Sequence, residues 1–307
     1  MKEKNFIQII KNTLNSDYIG DDCANLEDLG IVITQDSLVE DVHFVTKYIT
    51  PYELGYKSAM VNISDIAASG AKPAYLTVAI SLPADCDEKF VEEFYRGMKS
   101  GAKEAKIVGG DITGADKIFI SITAIGKTQG RKISSRKNAK PGQKVVVSGI
   151  HGSSAAGLNE LLNAGKRIED KFTKAHFMPE AQLEFSKKIA ETINYDYAMM
   201  DTSDGLLDAL STIACESRVK ISVDFSKIPY DKDIEKFTDW QNLVLYGGED
   251  YGLVAVLEGK DTSGMIVIGE VKEGCGVEIL NGNCCEILSR KDIEKKLYSH
   301  FGENHEN

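Results

Sequence analysis

The chain has 307 residues, 42% hydrophobic and 27% charged with only 6 prolines, a balance that fits a soluble globular protein, and its length makes two domains the default. Its 47 acidic against 36 basic residues give a formal charge of -11 without any long basic run, which leaves nucleic acid and anionic membranes as poor partners. No apolar run of about 18 residues could span a bilayer, and the six cysteines, lacking CxxC spacing, read as reduced, mostly buried thiols of a cytoplasmic protein.

The first fourteen residues set Phe6, Ile9, Ile10 and Leu14 at helical spacing among charges, the pattern of an amphipathic helix rather than a signal peptide. A Gly20-Asp21-Asp22 segment follows. The β-branched run 31–34 predicts a strand that delivers Thr34, Gln35 and Asp36 to its carboxyl end, where open sheets commonly bind ligands. His43 lies seven residues beyond Asp36 and, on the residues alone, reads as a satisfied core or surface residue rather than a ligand. Residues 51–69 have helical length and pattern, with Asn62, Asp65 and Ser69 forming a polar stripe on an otherwise small and apolar segment; this is either a solvated face or a buried Asp in need of a partner or metal.

A strand is expected over 75–82, a helix over 87–106 and a period-two strand over 118–125. Between the last two, Gly109-Gly110-Asp111 reads as a turn, either a plain one or one whose glycines let the backbone approach a phosphate. The polar, basic stretch 128–142 ends in Pro141-Gly142 and marks a boundary between domains 1–138 and 139–307. Beyond it come a strand at 145–147, helices over 153–164 and 180–193, and Asp201-Thr202-Ser203-Asp204 directly before the apolar series Leu206, Leu207, Leu210 and Ile213. That arrangement opens a helix whose free amides suit phosphate oxygens. Strands at 221–225 and 252–257 complete a layered α/β pattern in both halves, the latter just after Gly247-Gly248-Glu249-Asp250. Cys284 and Cys285 fall in a polar turn.

Each Asp-bearing segment alone is ordinary turn chemistry. If the fold gathers Asp22, Asp36, Asp65, Asp111, Asp201 and Asp204, however, so many carboxylates need divalent cations between them, which points to magnesium and phosphate chemistry. The chain has no P-loop, no GxGxxG after a strand and no protein-kinase signature, and DTSDGLL lacks the EF-hand spacing.

Taken in order, GDDCA, TQDSLVEDVHF, YKSAMVNISDIAASGAKPAYLTVAISLP, GGDIT, SGIHGSSAAGLNELL, DTSDGLL and GGEDY resemble the thiamine-monophosphate kinases, relatives of aminoimidazole ribonucleotide synthetase and selenophosphate synthetase. The resemblance runs from about Gly20 to Tyr298. It implies a two-domain α/β fold of the aminoimidazole ribonucleotide synthetase type, with the N-terminal sheets completing a β-barrel across a homodimer. It also implies the reaction of ATP with thiamine phosphate to give ADP and thiamine diphosphate, assisted by several Mg2+ ions and using no covalent nucleophile. By the same resemblance Asp22, Thr34, Gln35, Asp36, Asp65, Asp111, Asp201 and Asp204 take the magnesium positions, the first few partly through backbone oxygens. Gly110, Asp111, Arg136 and Ser203 take the ATP contacts, and His43, Glu249 and Tyr298 those to thiamine phosphate.

The chain departs from the family pattern at Gln35, in place of Thr, at Lys103, near where an aromatic flanks the adenine, at Gly252, and at Leu297, in place of a glycine before Tyr298-Ser299-His300-Phe301. Two alternatives stand beside the kinase. One is another ATP-using member of the superfamily, although no reactive cysteine precedes the GDD segment. The other is a silent magnesium-nucleotide-binding regulatory subunit, which the completeness of the six aspartates opposes.

Overall fold

Two sheets with a buried helix between them make up the protein, whose computed structural model describes residues 2–282 and 284–298. In chain order the first half forms α1 (Lys2–Leu14), β1 (Ala24–Leu26), β2 (Ile31–Val39), α2 (Pro51–Ser69), β3 (Lys72–Leu82), α3 (Glu88–Gly101), β4 (Lys106–Gly114) and β5 (Phe119–Lys127). The second half forms β6 (Lys144–Val147), α4 (Ser153–Ala164), α5 (Lys171–Phe177), α6 (Leu183–Thr192), β7 (Ala198–Asp201), α7 (Leu206–Ser217), β8 (Lys220–Asp224), α8 (Trp240–Tyr246), β9 (Leu253–Leu257), β10 (Ile266–Lys272), β11 (Gly276–Asn281), β12 (Cys284–Leu288) and α9 (Arg290–Glu294). No helix among the described residues is long and apolar enough to cross a membrane.

The first sheet has the order β1-β2-β5-β3-β4, antiparallel except where β4 runs beside β3 after the α3 crossover. The expected β-barrel is not formed. β1 is three residues long and pairs only with β2, while β4 pairs only with β3, so the sheet ends in two separate edges and stays open. The second sheet, β12-β11-β8-β10-β6-β9-β7, is also open. Its inner strands bury both faces: Val145 and Val147 enter the core under α7, and Val146 between them enters the core shared with α2 and α6.

Helix α2 starts where Thr50 caps it reciprocally with Glu53, with Pro51 in the first turn, and it stops at Gly70 in the left-handed region. Arg167 clamps Glu53 with two 2.8 Å bonds and fixes the entry of the helix against the second half. Fifteen of its 19 residues are buried. Leu54, Met60, Ile63 and Ile66 lie among them, each worth about 1.5–3 kcal/mol of burial. Such a helix is wrapped on all sides rather than amphipathic, so its polar residues face protein.

Two sequence expectations change here. Gly109-Gly110-Asp111 lies within β4, not in a turn, because parallel pairing places Gly110 opposite Val78, and a Cβ on Gly110 would come 1.8 Å from the Val78 carbonyl oxygen. The cysteines are not mostly buried. Cys23 is buried and Cys86 half-buried, whereas Cys215, Cys275, Cys284 and Cys285 are exposed, and the last two begin β12 instead of occupying a turn.

Helices α2 and α3 touch backbone to backbone through Gly55 and Gly97, where an added Cβ would lie 1.9 Å from Phe94 O or 1.8 Å from Tyr52 O. Gly97→Ala is therefore expected to lower the urea midpoint by the equivalent of about 1–3 kcal/mol, as overpacking does. An unchanged midpoint in equilibrium unfolding would show that the two helices can separate freely.

Candidate functional site

The site forms where the two sheets meet α2. Asp65, about one turn before the end of that helix, accepts a 2.6 Å bond from the Thr34 hydroxyl on β2. Asn62, one turn earlier, accepts the Asp36 amide at 3.0 Å, so the helix and the strand are laced together by side chains that the sequence sets on one stripe. From the second half, Asp201 at the end of β7 accepts the Ser64 hydroxyl at 2.6 Å and the Ser203 hydroxyl at 2.7 Å. Asp22 arrives from the segment before β1. Carboxylate oxygens of Asp22, Asp65 and Asp201 lie within 4.8 Å of one another.

Electrostatics follow from this crowding. Burial, countered by Arg136 but reinforced by Asp201, pushes the Asp22 carboxyl up to about 6. Burial, with Asp201 and Asp22 adding to it, pushes Asp36 up to about 6. Asp65 is raised well above the usual carboxylate range by burial and then by Asp36, Asp201 and Asp22, despite the Thr34 bond. Arg136 answers part of the charge with bonds of 2.9 and 3.4 Å to Asp22 and a third to the Gly20 carbonyl, while its amide donates to Asp21 at 2.7 Å. An all-oxygen donor set with an excess of negative charge fits a hard divalent cation of the Mg2+ type.

The structure thus brings together Asp22, Thr34, Asp36, Asp65, Arg136, Asp201 and Ser203. Gln35 alternates to the open face of the sheet, where Thr123 donates to it at 3.0 Å and it donates to Ser121 at 3.1 Å. Asp111 shares that open face, exposed on β4 and three strand spacings, roughly 14 Å, from β2. Gly110 serves the close packing of β4 on β3. Asp204 is exposed, three residues after Asp201 and just before Gly205, which starts α7 without any side-chain cap. Lys103 stacks over the Tyr56 ring at 5.5 Å and lies 3.7 Å from Glu180. Tyr298 is 71% exposed, and Ser299, His300 and Phe301 lie outside the described residues.

The second part of the site lies at the other end of α2. Glu249, at φ +65° in the loop before β9, pairs with Lys57 at 3.1 Å and with His176 at 3.3 Å, and its amide donates to Ser203 O at 2.7 Å. Burial raises its carboxyl, but the Lys57 ammonium, the largest opposing influence, brings it below the ordinary value. His43 itself accepts the Val39 amide at 3.0 Å. Tyr251 links the two parts: buried, it lies within reach of Glu249, Asp36, Asp201 and Asp65, and burial followed by these carboxylates holds its hydroxyl protonated. Lys57, His176, Tyr251 and Asp250 were missed by the residue-by-residue reading. For Tyr251 and Asp250 the GGEDY segment is the available signal and for Lys57 the YKSAMVNISD segment; His176 has none.

Known proteins share this arrangement of sequence and structure. Residues 20–128 match the family described as AIR synthase related protein, N-terminal domain. The thiamine-monophosphate kinase of Aquifex aeolicus is 35% identical over 97% of this chain and 98% of its own length, and that of Bacillus subtilis is 35% identical over 92% and 93%. The solved structure of AaThiL complexed with AMPPCP and TMP superposes with a TM-score of 0.83 at 35% identity, covering 91% of this chain and 94% of that one. With such identity sustained along almost its whole length, this chain belongs to the thiamine-monophosphate kinase family.

Proposed function

We propose that the protein catalyses the ATP-dependent phosphorylation of thiamine phosphate, giving ADP and thiamine diphosphate. The observation that carries this reading is the gathering of Asp22, Asp36, Asp65 and Asp201 from four separate segments onto one buried helix in a chain of this family. Joining two phosphate groups brings anion against anion, and the barrier is lowered mainly by positioning and by neutralising charge. Asp22, Asp36, Asp65 and Asp201, with Thr34 and the Gln35 carbonyl, would hold Mg2+, and Asp111 and Asp204 complete the set. When bound, the metal supplies positive charge to the donor and acceptor phosphates.

The remaining roles belong to the chain. Arg136 offers a planar cation to ATP phosphate oxygens, and Ser203, together with the uncapped start of α7, offers hydroxyl and amide donors. Gly110 keeps the β4 backbone flush against its neighbour, so that Asp111 stands at the nucleotide. His43, Glu249 and Tyr298 receive thiamine phosphate, Glu249 as a carboxylate suited to its thiazolium cation or the amino group of its pyrimidine. The chain divides functionally at 138/139, with the metal set drawn from both parts. We infer a homodimer as well. Asp111 lies on the open face, away from the cluster, and a second copy apposed along the β4 edge would carry it to the other copy's site.

The direct test incubates the purified protein with Mg-ATP and thiamine phosphate, with free thiamine in parallel. Thiamine diphosphate and ADP are expected with the phosphate alone and are lost with chelator; product from neither acceptor would end this reading. The metal assignment predicts a pH signature. Asp22 and Asp36 sit near 6 when folded against 3.8 otherwise, so the metal-free fold binds extra protons between about pH 4 and 6 and loses stability as pH rises through that window. Millimolar Mg2+ should therefore raise Tm by about 3 °C or more at pH 7.5 and scarcely at pH 5; equal increments at both would place the ion elsewhere. Sharing of Asp111 between copies predicts complementation: inactive Asp111→Asn and Asp201→Asn proteins, unfolded and refolded together, should recover about a quarter of wild-type turnover. Recovery of none would put Asp111 in its own chain's site.

A further inference from the structure

Lys57 is 1% exposed, on a helix turn surrounded by apolar side chains, and burying an ammonium is costly unless its charge is met. Its Nζ lies 3.1 Å from Glu249 Oε1, yet none of its three donors makes a well-aligned hydrogen bond among the described residues. A purely structural position of this kind is filled at least as well by an apolar side chain of equal length. Glu249 is also fixed from other sides. His176 on α5 reaches Oε2 at 3.3 Å while sharing its Nδ1 with the Ser154 hydroxyl at 3.0 Å, and burial followed by the Lys57 charge pushes its imidazole down to about 3, so it is neutral. Asp250 next in the chain accepts the amides of Gly152 and Ser154 and pins the loop to the start of α4. His43 and the Tyr251 hydroxyl complete the titratable groups facing Glu249.

We propose that Lys57 is a positioning residue for the substrate-binding carboxylate of Glu249: pairing inside the protein, it keeps Glu249 ionised and aimed at thiamine phosphate. This rests on the reading of Glu249 given above. His176 supplies a neutral hydrogen-bonding wall, and the loop backbone, held by Asp250 and by the Ser203 carbonyl, prevents Glu249 from turning away to water. Lys57 and Ser64 lie two helical turns apart on the same side of α2, so the residue that sets the substrate-binding carboxylate and the one that holds Asp201 are about 10 Å apart on one rigid rod.

The test compares wild type, Lys57→Met, Glu249→Gln and the double variant by steady-state kinetics from pH 6.5 to 9.5. Lys57→Met should raise KM for thiamine phosphate about tenfold at pH 7 and leave KM for ATP within about twofold. That loss should recede toward pH 9, because a half-buried Glu249 without its cation titrates higher and ionises only as pH rises. Glu249→Gln should show the loss without alkaline recovery, and the double variant should match Glu249→Gln. A Lys57→Met enzyme with unchanged KM, or with a loss that is flat across pH, overturns the proposal. A wild type without turnover defeats the functional reading itself, and a normal KM in Glu249→Gln defeats the Glu249 contact; neither is confused with failure at Lys57 alone. Should Lys57→Met not fold, the carboxyl resonance of Glu249 in 13C-glutamate-labelled wild type, assigned by its absence in Glu249→Gln, decides instead. Titration below the ordinary glutamate range supports the proposal and titration above it overturns it.

Discussion

The burial of α2 on nearly every side, while it carries Lys57, Asn62, Ser64 and Asp65, is the constraint on which the rest of the structure depends. A polar group withdrawn from water must find a partner, so each of these side chains dictates what comes to meet it. Asn62 takes the backbone of β2, Asp65 takes Thr34, Ser64 takes Asp201 from the far sheet, and Lys57 takes Glu249. Two of these contacts, Ser64 with Asp201 and Lys57 with Glu249, join the two halves of the chain. A site built on a helix that is wrapped and capped in this way is held more firmly than one built on loops.

This explains which parts were legible in the sequence. α2 was read with its observed limits because Thr50, Pro51, Glu53 and Gly70 are local signals that need no knowledge of the fold. The aspartates of the cluster are visible as types, since each of the segments GDD, TQD, NISD, GGD and DTSD sets acid near glycine, serine or threonine. β4 was not legible as a strand. Two glycines before an aspartate form a turn signal locally, and only the close approach of Val78 makes glycine a requirement of the pairing. α5 and α8, seven residues each, are too short to show a helical period. The open sheet departs from what the resemblance implied because one chain leaves β1 and β4 as unpaired edges.

Lys57 escaped notice for a different reason. Lysine in a helical pattern signals a solvated face, and that pattern alone does not show that the fold will bury it. Its partner lies 192 positions later, in a loop whose backbone enters the left-handed region at both Glu249 and Tyr251. Such non-glycine residues are unfavourable alone and persist where surrounding bonds over-determine them, here the Asp250 cap on α4 and the Ser203 carbonyl. The same loop lays Gly248 against Ser203, where a Cβ would meet its carbonyl oxygen at 2.6 Å, so the substrate-binding carboxylate and the Asp201 segment are fixed relative to each other by backbone contact.

The two ends of α2 treat buried charge in opposite ways. At the Glu249 end a carboxylate is met by an ammonium and stays ionised. At the Asp65 end Asp22, Asp36, Asp65 and Asp201 crowd together, with Arg136 pairing only to Asp22, and the deficit appears as carboxyls that hold their protons toward neutral pH. A protein selected for stability alone would not leave carboxylates so poorly matched, because each raised carboxyl weakens the fold at neutral pH. The imbalance has a use if it is relieved only when cations and phosphates enter together, since the charge that opposes folding then becomes the charge that collects the metal. Tyr251, neutral and placed between the two ends, separates the uncompensated carboxylates from the compensated one. The acidic cluster can then change its ionisation on binding metal while Glu249 keeps the charge that Lys57 sets.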